Sequence, residues 1–357
     1  GVACSTDAAV GGISIDTRTL NGGDLFVALK DVRDGHDFVA DAFARGAAAA
    51  LVSRDVEGCP AERLIKVPDV LGGLENLGRT RRSVVSARVA AVTGSVGKTS
   101  TKEALRHLLS LQGRTHASAA SYNNLWGVPL SLARMPRDTQ YGVFEIGMNH
   151  AGEITPLTAQ VRPHVAIVTM VAAVHLENFD SVGEIADAKG EIFSGLEPEG
   201  VAIINGDLEW SARLIAHARR ARAHQIVTFG RSAGCDVRLQ SVTLNEESSD
   251  LKVELPGKAL SYRIGAPGEH WALNSLAVLA AISSLGGDAV RAAHDMATLN
   301  ALAGRGARER IRGDFGEFDL IDESYNANPL SMAAAMATLG RAQPGKGGRR
   351  IAVLGDM

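Results

Sequence analysis

Cysteine is scarce in this chain: Cys4, Cys59 and Cys235 stand far apart, with no CxxC or Cys/His metal spacing. That excludes a disulfide framework as the organising element, and an odd, sparse set points to reduced thiols in a cytoplasm. No apolar run approaches the length of a membrane span and no secretory signal pattern is present, so membrane insertion is not expected. A formal net charge of -3 offers no electrostatic handle for nucleic acid or an anionic membrane surface. Two local basic clusters, Arg79, Arg81 and Arg82, and Arg219, Arg220 and Arg222, read as solvated helix ends or loops. What remains is a cytosolic globular protein with no nucleic-acid partner, and 45% hydrophobic with 22% charged residues is the balance such a protein has.

At 357 residues the chain is too long for one ordinary domain, and turn signals divide it into three. Residues 1–86 mix short strands with Ala-rich helical runs. Ile13–Asp16 alternates apolar and polar, Asp24–Leu29 reads as a strand after the Asn21-Gly22-Gly23 turn, and Phe38–Ala50 is helical in propensity before a strand over Ala48–Val52. Residues 87–312 carry apolar runs at Arg88–Val92, Gly142–Ile146, Val165–Val168, Val201–Ile204 and Ile226–Phe229, with helical stretches between. That alternation predicts an α/β domain with a parallel sheet covered on both faces. A period of two between Val237 and Ile264 predicts a small antiparallel addition, followed by a helix from about His270 to Ser284. Residues 313–357 offer strands at Phe318–Ile321 and Arg350–Leu354 and a helix over Leu330–Leu339, a short segment that reads as a domain cut short. The chain opens at Gly1 rather than Met, so a start segment is expected to precede it.

Thr93-Gly94-Ser95-Val96-Gly97-Lys98-Thr99 follows an apolar strand and precedes the helical run Ser100–Leu111. Glycines there let backbone N–H groups converge, the helix N-terminus adds positive potential, and Lys98 supplies a mobile charge, so the loop can cradle phosphate with Thr99 offering its hydroxyl to Mg²⁺. The general Walker A pattern places a glycine where this chain has Val92. Glu145 ends an apolar strand, where open α/β sheets place their ligands, and a carboxylate there is costly to bury without a cation. Asn123 and Asn124 precede Gly127 and Pro129 and suit a turn as readily as a ligand. Asn274 lies off the apolar stripe of its helix. Arg305 stands between two glycines, and a guanidinium suits phosphate recognition.

The loop lacking that first glycine resembles the ATP loop of the Mur ligases and their folylpolyglutamate synthetase relatives. Other blocks match along nearly the whole chain, from about Ile13 to Met357. The resemblance implies a three-domain Mur ligase architecture: an N-terminal UDP-substrate domain (1–86), a central P-loop domain with a parallel sheet (87–312) and a truncated Rossmann-like C-terminal domain (313–357). It implies ATP and Mg²⁺ as cofactors, with Gly94, Ser95, Val96, Gly97, Lys98, Thr99, Ser100, Asn274, Arg305, Asp322, Tyr325 and Asn328 around the nucleotide. Val174–Phe179 resembles the family's second-magnesium histidine region, which assigns His175. Lys189, in Ala188-Lys189-Gly190-Glu191-Ile192-Phe193, matches a lysine the family carries as a carbamate. Thr99, Glu145, His175 and carbamylated Lys189 would then hold the metals, with Lys98 and Arg305 stabilising the transferred phosphoryl group.

Ser14-Ile15-Asp16-Thr17-Arg18 and Gly23–Leu29 resemble the family's substrate-binding segments. Ser14, Asp16 and Arg18 would take the UDP end, and Asn123 and Asn124 the substrate near the γ-phosphate. Asp322–Pro329 and Val353–Met357 resemble the branch that adds D-alanyl-D-alanine to UDP-N-acetylmuramoyl-tripeptide through an acyl phosphate. Rival readings are another amide ligase of the superfamily, and a nucleotide-binding fragment inactive through truncation. A monomer is expected.

Overall fold

A computed structural model describes residues 9–119, 121–174, 176–314 and 316–356. Contacts divide the chain into two units, the first formed by residues 1–86 and 118–139 and the second by 87–117 and 140–357. These two units divide the chain differently from the three consecutive segments: residues 118–139 pack with the first unit, and residues 313–357 fall in the second with the rest of the middle segment.

The first unit carries a parallel sheet in the order β1 (Gly12–Ser14), β2 (Asp24–Val27), β3 (Ala49–Val52), β4 (Leu64–Lys66). Strands β2 and β3 are buried along their whole length, as a parallel sheet covered on both faces requires. Helix α1 (Val39–Ala44) is far shorter than the Phe38–Ala50 propensity suggested, because Ala49 and Ala50 pair with β2 instead. Helix α2 (Val70–Val84) starts at Asp69, whose carboxylate accepts from the backbone amides of Leu71 and Gly72. Val70, Leu74, Gly78 and Arg82 repeat every four residues and form its buried stripe.

The second unit begins with β5 (Arg88–Thr93), α3 (Lys98–Ser110) and β6 (Thr115–Ala117). After α4 (Gly127–Ala133) of the first unit come β7 (Tyr141–Glu145), α5 (Ile154–Val161), β8 (Val165–Val168), α6 (Val182–Gly190), β9 (Val201–Asn205), α7 (Ser211–Arg220) and β10 (Gln225–Gly230). Antiparallel strands β11 (Val237–Leu244), β12 (Ser249–Leu255) and β13 (Lys258–Ile264) extend the sheet, as the period of two predicted. The nine-stranded order is β13-β12-β11-β10-β9-β8-β5-β7-β6. Helix α8 (Glu269–Ser284) is buried from Ser275 through Ile282 rather than along one stripe, since it packs on α3 and on several strands. Its Leu276 and Leu279 join Leu105 and Leu108 of α3 in one core, where truncating such a leucine to alanine costs about 2–5 kcal/mol.

The chain leaves β5 toward β6 on one side, and from β7 it crosses to β8 on the other. The carboxyl ends of β5, β7 and β8 therefore flank a topological switch point, where open sheets bind ligands. Helix α9 (Ala289–Asp295) leads to a hairpin of β14 (Ala307–Gly313) and β15 (Gly316–Asp322), then helix α10 (Pro329–Arg341). Strand β14 has no counterpart in the sequence reading. Arg350–Leu354, expected as a strand, has no ladder partner among the described residues and leaves Ile351, Val353 and Leu354 exposed. A strand is defined by its partner, so apolar alternation alone does not make one. No helix among the described residues is long and apolar enough to cross a membrane.

Candidate active site

Between β5 and α3 the chain turns from strand to helix over Gly94–Gly97. Gly97 carries φ +88 at the start of α3, a region L side chains rarely adopt, and a Cβ on it would lie 2.9 Å from Asn274 Nδ2. Asn274 of α8 is thus set directly against the loop. Among the described residues no side chain caps α3. Its first amides and positive dipole end are left for an anion.

The loop is held from behind by the segment after β8. Thr169 Oγ1 donates to the carbonyls of Val96 (2.6 Å) and Thr93 (3.2 Å), and Ser95 N–H donates to Met170 O at 2.7 Å. Ser95 Oγ donates to Ala172 O and accepts from Ala172 N–H, at 3.1 and 3.0 Å. Asn205 at the end of β9 donates to Thr169 O at 3.2 Å. Sequence reading missed Thr169 and Asn205, and only their positions at strand ends beside the loop strand could have signalled them.

Glu145 ends β7 in register with Val92 of β5, and its side chain is 1% exposed. Lys98 Nζ donates to Gly94 O at 2.7 Å. Burial pushes the Lys98 ammonium below its ordinary pKa, the negative Glu145 opposes that shift, and the positive Arg305 adds to it. Lys189, in the last turn of α6, is 3% exposed, and burial with the like charge of Lys98 pulls it down to about 7. Glu145, Arg305 and Lys189, from three other segments, therefore each lie within electrostatic reach of Lys98. Thr99 and Ser100 follow in the first turn of α3, where Ser100 Oγ donates to Gly97 O at 3.2 Å. His175 lies outside the described residues.

Asp322 Oδ2 accepts from Gly304 N–H at 2.8 Å, and Tyr325 N–H donates to Gly304 O at 3.1 Å. These bonds fasten Arg305 to the segment after β15. Hydrogen bonds from Ser324 and Gly304 hold the Asp322 carboxyl below its usual range. Asn328 is the N-cap of α10: its Oδ1 accepts from Ser331 N–H and its own N–H reaches Ser331 Oγ, a reciprocal capping box.

No group of three His, Cys, Asp or Glu side chains converges on a metal position among the described residues. The donor set still suits Mg²⁺, a hard cation that takes one or two protein oxygens and fills its shell from water and phosphate. A buried Glu145 carboxylate and the Thr99 hydroxyl would supply such oxygens.

In the first unit, Ser14 Oγ donates to Asp16 O at 2.9 Å, and Asp16 holds Arg18 by paired contacts of 2.6–3.1 Å. Arg18 is 81% exposed, so its guanidinium has room for an oxyanion. Asn124 Oδ1 accepts from Gly127 N–H at 2.9 Å at the start of α4, the turn-forming use open to it from sequence, and Asn123 precedes it in that turn.

Residues 92–282 match the Mur ligase middle domain, and residues 9–80 the catalytic domain of the Mur ligase family. The chain belongs to the Mur ligase family. Among family relatives, the UDP-N-acetylmuramoyl-tripeptide–D-alanyl-D-alanine ligase of Escherichia coli (strain K12) is 37% identical over 359 residues, covering 98% of this chain and 75% of the relative. A crystal structure of MurF from Acinetobacter baumannii superposes with a TM-score of 0.83 at 34% identity, covering 94% of this chain and 72% of that one. The MurF ligase of Thermotoga maritima in complex with ADP gives 0.78 at 26% identity, covering 95% and 77%. As a family member the chain is an ATP-dependent amide ligase with the α/β Mur architecture.

Proposed function

We propose that this chain joins D-alanyl-D-alanine to the terminal carboxylate of UDP-N-acetylmuramoyl-tripeptide, as a cytoplasmic monomer in peptidoglycan synthesis. Relatives of that name align with nearly the whole chain, and one structural relative holds ADP. The observation that carries the reading is the loop from Gly94 to Lys98, with Lys98 Nζ on Gly94 O, Gly97 against Asn274, and Glu145, Arg305 and Lys189 each acting electrostatically on Lys98.

In the proposed reaction a carboxylate oxygen of the tripeptide attacks the γ-phosphorus of ATP. The bond to the β–γ bridging oxygen breaks and ADP leaves. The amine of D-alanyl-D-alanine then attacks the acyl carbon, phosphate departs, and the nitrogen loses a proton. Lys98 and Arg305 neutralise charge on the transferred phosphoryl group, and the α3 amides with Gly94–Ser100 hold the phosphates. Asn274 faces the nucleotide, and Asp322, Tyr325 and Asn328 border it from the last segment. Thr99, Glu145, His175 and Lys189, the last as a carbamate, would hold Mg²⁺, which supplies charge neutralisation between phosphates and carboxylate. Carbamate formation needs a neutral amine: its nitrogen bonds to CO₂ and releases a proton to solvent. Ser14, Asp16 and Arg18 take the UDP end, and Asn123 and Asn124 the substrate beyond it.

Phosphate release from ATP in the presence of UDP-N-acetylmuramoyl-tripeptide tests this. D-alanyl-D-alanine should stimulate release and single amino acids should not. No stimulation by the dipeptide defeats the substrate assignment.

A further inference from the structure

Glu191 is the first residue after α6, two positions beyond Lys189, yet its hydrogen bonds run to a segment 36–39 residues earlier. One carboxylate oxygen accepts from Gly152 N–H at 2.6 Å. The other accepts from Thr155 N–H and Thr155 Oγ–H, both at 3.0 Å. These donors belong to the start of α5, whose own preceding residue, Glu153, does not cap it: the Glu153 carboxylate serves Asn149 and His150 instead. Helix α5 is therefore capped from the α6 side of the molecule. A second contact repeats the junction, with Thr158 Oγ1 donating to Ile192 O at 2.8 Å.

The loop that leaves Glu145 ends at the capped helix. A single carboxylate thus ties the chain seven and ten residues after Glu145 to the chain two residues after Lys189. An ordinary cap needs only a local Ser, Thr, Asp or Asn, so a cap supplied across the fold sets a distance that a local one would leave free.

We propose that Glu191 is a positioning residue that fixes the separation of Glu145 and Lys189, and so the geometry of the magnesium site between them. The proposal rests on the reading of Glu145 and Lys189 as metal-binding groups. Glutamine at 191 keeps one acceptor oxygen and turns an NH₂ group toward the N–H donors. Both arms cannot be satisfied at once.

The test compares wild type, Glu191→Gln and Glu191→Asp in two measurements at a temperature where each is folded. One is the Mg²⁺ concentration giving half-maximal phosphate release. The other is the carbamate carbon signal in NMR after incubation with ¹³C-bicarbonate, assigned by its absence from Lys189→Ala. Glu191→Gln should raise the Mg²⁺ requirement about tenfold, as loss of a supporting hydrogen bond does at metal sites, and reduce the carbamate signal. The KM for UDP-N-acetylmuramoyl-tripeptide should stay within twofold. A capping role alone would lower the melting temperature and leave both readouts unchanged, which overturns the proposal. Should Glu191→Gln not fold, Glu191→Asp, too short to span both arms, decides the matter by the same two readouts. If wild type itself shows no carbamate signal and Lys189→Ala keeps full activity, the metal-site reading fails instead.

Discussion

The guanidinium of Arg305 lies 4.4 Å from the ring centroid of Tyr325, stacked on its face. Arg305 thus reaches Lys98 electrostatically while resting on an aromatic supplied by the segment after β15. A cation–π contact at a half-exposed site is worth about 0.5–1 kcal/mol, or about two- to fivefold in an equilibrium. Tyr325→Ala should therefore raise the KM for ATP by about that factor, and Tyr325→Phe should leave it near wild type. Steady-state kinetics with varied ATP checks this, and equal defects in both variants would remove the stacking role.

Gly97 bears two constraints at once, its positive φ and its approach to Asn274. Gly97→Ala places a methyl 2.9 Å from the Asn274 amide in a backbone region that costs about 1–2 kcal/mol for an L side chain. Nucleotide affinity, read by calorimetry with ADP, should fall about tenfold or more. Because Asn274 also faces the nucleotide, the clash is read by stability: Gly97→Ala should lower the melting temperature and added Asn274→Ala should recover part of that loss, since the clash is removed while the strain persists. No recovery would mean that Asn274 does not limit the space at the loop.

Thr169 donates to two carbonyls around the loop and is buried. Thr169→Val keeps the shape and strips the donor, and leaving such acceptors without it costs about 1–3 kcal/mol. A rise of about fivefold or more in the KM for ATP is expected, with little change in the KM for the UDP substrate. Parallel changes in both constants would place Thr169 outside the nucleotide loop's support.

Asp34 offers a pH test away from the site. The backbone amide and ring of His36, helped by Arg54, hold its carboxyl far below the usual carboxylate range. Its folded pKa lies below the unfolded value of about 3.9, so its stabilisation is complete above that value and is lost as pH falls further. Asp34→Asn should melt lower than wild type at pH 7. The gap should narrow steadily below about pH 4, and a gap independent of pH would show that charge is not its source.

Much of this was legible in the sequence because local chemistry and tertiary role coincide. Gly97-Lys98-Thr99 after an apolar strand reads as a strand–loop–helix turn, which it forms, and Glu145 closing an apolar strand reads as a buried carboxylate, which it is. The βαβ alternation gave the parallel sheet for the same reason: strands covered on both faces must be apolar throughout. What stayed hidden depends on partners distant in sequence. Thr169 and Asn205 are ordinary polar residues until the strand order sets Thr169 against Val96 and Asn205 against Thr169. Glu191 reads as a surface carboxylate in a helical run, because its acceptors meet donors 36–39 residues back. The misplaced strand at Arg350–Leu354 fails for the same reason in reverse, an apolar pattern with no neighbour to pair among the described residues.

Helix α4 is buried at every residue, and its Leu130 and Ala133 complete a core with Val70 and Leu74 of α2 and with Leu25, Val27, Ala49 and Leu51 of the sheet. Residues 1–86 are therefore unfinished on their own. During synthesis the first unit has to wait, its apolar faces uncovered, until residue 133 has left the ribosome and β5, α3 and β6 have already passed. Nascent chains stalled between residues 86 and 133 are where chaperone capture or aggregation of this protein should concentrate.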